Sequence, residues 1–269
     1  MVEKKIHYCW FGGNELPDIV KKCIKSWQKH LPEYKIVCWD ESNFDIETCP
    51  YVKEAYEAKK WAFVSDYARM YILYHYGGLY FDTDVEVIKS LEEILTHGPF
   101  MARESESPNC SVAPGLALYA EKGMPIYKEI LDDYEKSHFV NEDGSYSYYT
   151  VVERVTNILK KHGLTSEDGI QKVAGLVIYP KAYFCPLDYG TGKLTLKPET
   201  CAIHWYSATW LDEKMQHQRE VCMRLNNRFP KKMAKFLGDW YVRFSNFFDL
   251  VKKGNVKYIY VKIKKRFHH

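Results

Sequence analysis

The stretch Gly77-Gly78-Leu79-Tyr80-Phe81-Asp82-Thr83-Asp84-Val85-Glu86-Val87 constrains this chain more than any other. Two glycines end an amphipathic segment. Leu79, Tyr80 and Phe81 form a run too short and too aromatic for anything but a buried strand. Two carboxylates, one residue apart, follow where that strand must stop. Unpaired carboxylates are costly to bury, so a positive group belongs beside them. A divalent cation, Mn²⁺ or Mg²⁺, is the simplest one, because carboxylate oxygens are hard ligands. A carboxylate at this strand edge is expected to burden the fold when its metal is absent. Alternation resumes at Val85 and Val87, so the pair sits at a break in a sheet. Asp-x-Asp pairs also serve plain turns.

Upstream, Trp61–Tyr76 predicts a helix with a core stripe at 63, 67, 70, 71 and 74. Ser65, Asp66 and Arg69 interrupt it. Asp66 and Arg69 are three apart and share a face. They form either an intrahelical ion pair, worth under about 0.5 kcal/mol, or a carboxylate and a cation aimed at the cavity beside Asp82.

The first segments predict a strand at Lys5–Trp10, a turn at Phe11-Gly12-Gly13, a helix opened by Pro17 and a strand at Tyr34–Trp39. Elements of these lengths make a right-handed βαβ unit with parallel strands. Ligands bind beyond the carboxyl ends of such strands, which places Trp10, Phe11, Asp40 and Asp82 on one edge. Trp10 is either a base-stacking ring or a buried strand end. Gly12 and Gly13 either admit a nucleotide close to the backbone or simply turn the chain. Further helices are expected at Val52–Lys59, Leu91–Leu95, Pro125–His138 and Tyr149–His162, and strands at Phe100–Glu104, Val112–Tyr119 and Val177–Phe184. Asn141–Tyr148 reads as a mobile lid.

Four motifs now stand in order. They are Ile6-His7-Tyr8-Cys9-Trp10-Phe11-Gly12-Gly13, Ser65-Asp66-x-x-Arg69, Tyr74-x-x-Gly77-Gly78-x-Tyr80-x-Asp82-x-Asp84, and Ile203-His204-Trp205-Tyr206-Ser207-Ala208-Thr209-Trp210. Together they resemble the DXD sugar-binding glycosyltransferases of family 32, the capsular-polysaccharide and yeast-type mannosyltransferase group. The likeness to the glucosylating clostridial toxins is more distant. The resemblance implies a GT-A-type α/β fold, a mainly parallel sheet sandwiched by helices. It implies retaining transfer of a hexose from a nucleotide diphosphate sugar to a glycan or lipid-linked glycan in surface polysaccharide synthesis. UDP-hexose is favoured as donor, UDP-galactose first. Asp66, Arg69, Asp82 and Asp84 would carry the chemistry. Trp10, Phe11, Gly12, Ser65, Asp66, Arg69, Asp82, Ser207 and Trp210 would bind the nucleotide sugar. Asp82, Asp84 and His204 would hold the metal, Asp84 as its direct ligand and Asp82 in the ribose and metal shell. Asp168 and Gln171 lie in a loop where a group facing the anomeric carbon is sought. The chain departs from the pattern at Ala113-Pro114-Gly115, where the family shows a small polar residue before Gly-Phe.

Two rival readings remain. Phe81-Asp82-Thr83-Asp84-Val85 also matches the haloacid-dehalogenase phosphohydrolases, with Asp82 as nucleophile, although that motif sits on a first strand. A carbohydrate-binding module without chemistry is the other.

Charge is unevenly placed. Residues 212–269 hold 15 Lys/Arg and 5 Asp/Glu, a net of +10, whereas residues 1–211 carry a net of −7. The expected division is therefore a transferase domain at 1–211 and a basic amphipathic helical extension at 212–269, broken by Pro230 and Gly254. A basic helix with aromatic anchors prefers anionic interfaces, so a peripheral contact with the inner face of a membrane is expected. Nucleic acid is not expected, because no base-stacking architecture is legible. No apolar run reaches the roughly 18 residues of a membrane span, and the N-terminus lacks a signal peptide's apolar region, so the expected location is cytoplasmic. The eight cysteines form no C-x-x-C pair and read as reduced core thiols.

Overall fold

The computed structural model describes residues 4–207 and 213–252. In chain order the elements are β1 (Lys5–Cys9), α1 (Asp18–His30), β2 (Lys35–Trp39), α2 (Pro50–Glu57), α3 (Trp61–Tyr76), β3 (Gly78–Tyr80), β4 (Val85–Val87) and α4 (Glu92–Thr96). Next come β5 (Phe100–Ala102), β6 (Leu118–Ala120), α5 (Pro125–Glu135), α6 (Val151–Lys161), β7 (Gln171–Val173), β8 (Leu176–Tyr179), α7 (Lys181–Phe184) and β9 (Ala202–His204). The helices α8 (Glu213–Arg228) and α9 (Lys231–Lys252) close the described chain. It divides into two compact units, Met1–Leu187 with Leu194–Trp210, and Asp188–Lys193 with Leu211–His269.

In the first unit a seven-stranded sheet has the order β2-β1-β3-β6-β5-β8-β7. β1 is parallel to β2 and β3, and β5 is parallel to β8, while β6 and β7 run the other way. Five strands thus share one direction, and the expected mainly parallel α/β sandwich is present. Side chains alternate across the strands. Ile6, Tyr8, Leu79, Phe100 and Val177 pack toward α1 and α4, while Cys9, Tyr80, Met101, Leu118 and Ile178 pack toward α3, α5 and α6. The carboxyl ends of β1, β2, β3, β5 and β8 fall on one edge. That edge carries Trp10, Asp40, Asp82, Glu104 and Lys181.

Two expected strands are shorter than their apolar patterns. Pro114 and Gly115 interrupt Val112–Tyr119, leaving a strand at Leu118–Ala120 and a single bridge from Val112 to Arg103. Pro180 ends β8, and the residues after it turn into α7. All eight cysteines are thiols, as expected. His7, buried between Trp39 Nε1 and the Gly77 carbonyl, is a packing residue.

The expected lid at Asn141–Tyr148 forms a hydrogen-bonded turn. Val140 bridges Tyr146, the Asn141 N–H donates to the Ser145 carbonyl, and Phe139 stacks on Tyr146. Glu54 on α2 anchors it by accepting from His138 Nδ1 at 2.6 Å and from the Phe139 and Val140 N–H groups at 2.8 and 2.9 Å. Burial opposes ionisation of Glu54, but these donors outweigh it and hold its carboxyl below the ordinary value. A depressed carboxyl stabilises above its unfolded value and loses that contribution as pH falls through the folded one. The Val140 amide should therefore lose hydrogen-exchange protection below about pH 4.5. Glu54→Ala should lose about 1–3 kcal/mol of stability and should abolish that pH step. A step that persists in the variant assigns it to another group.

The second unit holds α8 and α9, separated by Pro230. Asn226 and Asn227 of α8 donate to the carbonyls of Gly190 and Thr191.

Candidate active site

The site begins with a register. β4 pairs antiparallel with β9 in a small second sheet, Val85 opposite His204 and Val87 opposite Ala202. This ladder brings the late Ile203-His204-Trp205 segment against the Asp-x-Asp turn. The Trp205 N–H donates to the Asp84 carbonyl at 3.0 Å. Glu86 supports the ladder from the side by accepting from Trp205 Nε1 at 2.8 Å and pairing with Lys22 of α1 at 2.7 Å.

Asp84 is consequently surrounded by donors. Its Oδ1 lies 3.1 Å from His204 Nε2, and its Oδ2 accepts from the Ser207 N–H at 2.7 Å and the Ser207 hydroxyl at 3.0 Å. Tyr206, at φ +48°, supplies the left-handed turn that brings Ser207 back onto the carboxylate. Burial alone would raise Asp84, but His204 and Ser207 outweigh it and hold its carboxyl well below the usual range. Burial likewise opposes a charge on His204, and Asp84 overrides it and raises the imidazole above its ordinary value.

Asp82 has a different partner. Arg69, 4% exposed, reaches Asp82 at 3.2 and 3.3 Å and Asp66 at 3.0 Å, and its Nε donates to the Ser65 carbonyl. The Tyr80 hydroxyl also donates to Asp82, and the guanidinium lies 5.2 Å from the Tyr80 ring centre. The Asp66–Arg69 pair is therefore no surface helix pair but the buried half of a bridge from α3 to the end of β3. One guanidinium serves two carboxylates. Burial pushes Asp66 up to about 6 and raises Asp82, against the pull of Arg69.

Gly115 explains the departure at Ala113-Pro114-Gly115. A Cβ built there would lie 2.1 Å from Asp82 Oδ2 and 3.3 Å from an Arg69 nitrogen. Its backbone is ordinary, so the space matters rather than the conformation. Gly115→Ala should displace the Asp82 carboxylate, lower stability by about 1–3 kcal/mol as overpacking does, and slow the reaction at least about tenfold. Urea denaturation and steady-state rates check this, and a variant with wild-type rates separates Asp82 from the chemistry.

Several expected site residues are otherwise engaged. Ser207 spends both donors on Asp84, so it orients that carboxylate rather than waiting for a phosphate. Ser65 bonds within its own helix, to the Trp61 carbonyl. Phe11 is buried edge-on to Phe44, leaving only its backbone on the edge. Trp10 is half-buried with its indole N–H on the Asn14 carbonyl. Gly12 donates to Glu41 and lies beneath Trp61, whose ring a Cβ would meet at 2.7 Å. Gln171 uses its amide to close the loop at Thr165 and Glu167, and Asp168 accepts from the Ser107 N–H, so both hold a loop in place. Trp210 lies outside the described residues.

Three groups on the edge escape the sequence reading. Glu104, just past β5, is raised by burial against the opposing charges of His204 and Lys181. Only the parallel pairing of β5 with β8 puts its carboxylate and Lys181 on the same edge as Asp82. Trp61 is the third.

Among the described residues no group of three or more His, Cys, Asp or Glu side chains is gathered as a ready metal site. Asp84 and His204 nevertheless fit a divalent ion. A carboxylate oxygen and an imidazole nitrogen, here 3.1 Å apart, are donor types such an ion takes, and the proton they share would leave as it binds. His204 Nδ1 is buried without a hydrogen-bond partner. Asp82, held by Arg69 and Tyr80, does not complete a triad with them.

Residues 17–101 match the family model described as "Glycosyltransferase sugar-binding region containing DXD motif". The match covers the Ser65-Asp66-x-x-Arg69 helix and the Asp82-Thr83-Asp84 turn. A 155-residue stretch is 29% identical to inositol phosphoceramide mannosyltransferase 3 of Schizosaccharomyces pombe (strain 972 / ATCC 24843), covering 56% of this chain and 41% of the relative. The chain thus spans about two fifths of the length of that curated relative. Among solved structures, the PaToxG glycosyltransferase aligns with a TM-score of 0.47 at 19% identity, over 60% of this chain and 69% of its own. The galactosyltransferase LgtC in complex with donor and acceptor sugar analogues aligns with a TM-score of 0.45 at 13% identity, over 85% and 98%. The DXD region holds both halves of the Arg69 bridge and Asp84 itself. His204 and Ser207, which hold Asp84 in place, lie beyond it.

Proposed function

We propose that this chain is a metal-dependent, retaining glycosyltransferase of GT-A type. It moves a hexose from a nucleotide diphosphate sugar to a hydroxyl of a glycan or lipid-linked glycan in surface polysaccharide synthesis. The observation that carries the reading is the meeting of Asp84 with His204 on the strand-end edge, next to the Arg69-held Asp82 within a matched DXD region. UDP-hexose is the first donor, UDP-galactose ahead of others. GDP-mannose is second, in keeping with the mannosyltransferase name of the yeast relative.

Asp84 and His204 would hold the ion, Mn²⁺ or Mg²⁺. Such ions take one or two protein ligands and fill the remaining positions with phosphate oxygens and water. When bound, the metal neutralises charge developing on the departing diphosphate. The chain's own residues do the rest. Ser207 fixes the Asp84 carboxylate, and Arg69 sets the Asp82 carboxylate where a ribose or sugar hydroxyl can donate to it. The Asp82 oxygens are engaged by Arg69 and Tyr80, which suits a positioned acceptor better than the nucleophile of a phosphohydrolase.

Thermal-shift screening of nucleotide sugars with Mn²⁺, followed by donor hydrolysis without acceptor, tests the proposal. UDP-hexoses should stabilise the protein and release UDP only with metal present. Cleavage of a generic aryl phosphate, with no response to any nucleotide sugar, would favour the phosphohydrolase reading.

A further inference from the structure

Large apolar residues of a globular protein's helix normally face its neighbours. Helix α9 does the opposite. Phe236 is 69% and Trp240 56% exposed, and Phe244, Phe247 and Phe248 are exposed as well. At about 100° per residue these five side chains share one face. Their rings pack on one another along it, Trp240 stacking on Phe244 at 5.0 Å and Phe244 meeting Phe248 at 4.8 Å. The face turned to α8 is separate from it and carries Tyr241, whose ring lies 6.5 Å from His217, with smaller and polar residues. Ala234 is buried, a Cβ on Gly238 would lie 3.3 Å from Cys222 Sγ, and Ser245 accepts from Gln218 of α8. The exposed Lys232 and Arg243 border the aromatic face along the helix.

A contiguous exposed apolar stripe on this scale marks an interaction surface. We propose that α9 lies along an anionic lipid bilayer, with Phe236, Trp240, Phe244, Phe247 and Phe248 set into the interface and the flanking cations over the head groups. Charge selects this occupant. Residues 212–269 carry a net of +10, so a second copy would bring like charge against like charge, whereas an anionic surface attracts it. Trp and Phe on one face and Lys and Arg beside it are the composition of helices that lie in the head-group region. No described helix is long and apolar enough to cross a membrane, so the contact is one of a helix lying flat. The inference stands apart from the proposed transfer reaction.

Flotation of the full chain with vesicles tests it. Binding should be at least about tenfold stronger to mixed phosphatidylcholine–phosphatidylglycerol vesicles than to phosphatidylcholine alone, and should weaken with salt. Phe236→Ser/Trp240→Ser/Phe244→Ser should bind the mixed vesicles at least about 30-fold more weakly, with unchanged circular dichroism, because the replaced rings face solvent. Trp240→Phe keeps the apolar face and gives an independent reading. Bromine-labelled lipid chains should quench a tryptophan component in the wild-type protein that is missing from this variant. The proposal is overturned if the triple variant binds like wild type or if neither protein floats at low salt. It is also overturned if Trp240→Phe leaves the quenching unchanged. A lipid-free dimer abolished by the triple variant would assign the face to a second copy.

Discussion

Asp84→Asn is expected to reduce transfer at least about 10³-fold, the scale of losing a metal ligand and the charge stabilisation it supports. The same change should destabilise the metal-free protein at pH 7 by about 1–3 kcal/mol. A strand-edge carboxylate lacking its metal is expected to be a burden. Here three donors make it an asset, because His204 Nε2 and both Ser207 donors are arranged around the ionised form. The sign follows from the depressed carboxyl. The stabilisation is present above the unfolded value near pH 4 and is lost as pH falls through the folded one. Chemical denaturation of wild type and variant in chelator should therefore differ at pH 7 and converge in strong acid. Equal stability at pH 7 would mean that Asp84 is not held as described. Wild-type turnover by the variant would remove Asp84 from the chemistry.

Arg69→Met should have the largest effect on stability, about 3–5 kcal/mol, because it strips the shared cation from two buried carboxylates. Sequence spacing alone values this pair at a tenth of that. Arg69→Lys should recover little, since one ammonium cannot reach Asp66, both Asp82 oxygens and the Ser65 carbonyl together. Asp66→Asn should behave oppositely. Its folded value is raised to about 6, so its carboxyl favours the fold when protonated and loses that contribution as pH rises through 6. Above that pH the amide should match or exceed wild-type stability while activity falls. Urea midpoints measured from pH 5 to 8 separate the variants. An Arg69→Met protein as stable as wild type would contradict the buried bridge.

Local pattern carried much of this molecule. The aromatic run at Leu79-Tyr80-Phe81, the glycines before it and the periodicity of Trp61–Tyr76 place β3, α3 and the Asp-x-Asp turn within a residue or two. The βαβ reading of the first 39 residues puts Trp10 and Asp82 on one edge, as the parallel β1–β2 and β1–β3 pairs do. Long-range register was not legible. Nothing local says that Val85 pairs with His204, and that pairing turns Ser207 from a free donor into a support for Asp84. Gly115 looked like a departure from a motif because the atom it makes room for is 33 residues away in sequence. Apolar runs at 112–119 and 177–184 overstated two strands because Pro114 and Pro180 outweigh β-propensity. Aromatic anchors in the basic extension were legible, but which rings of α9 face outward was not, since periodicity shows which residues share a face and not which way it points.

Calorimetric titration of UDP into the protein, with Mn²⁺ and with chelator, tests the central claim most directly. Wild type should bind UDP at least about 100-fold more tightly with Mn²⁺, and Asp84→Asn and His204→Ala should each lose that difference while remaining folded. Equal affinity with and without the ion, or a metal effect that survives both substitutions, would contradict the assignment of Asp84 and His204 to a metal–diphosphate site.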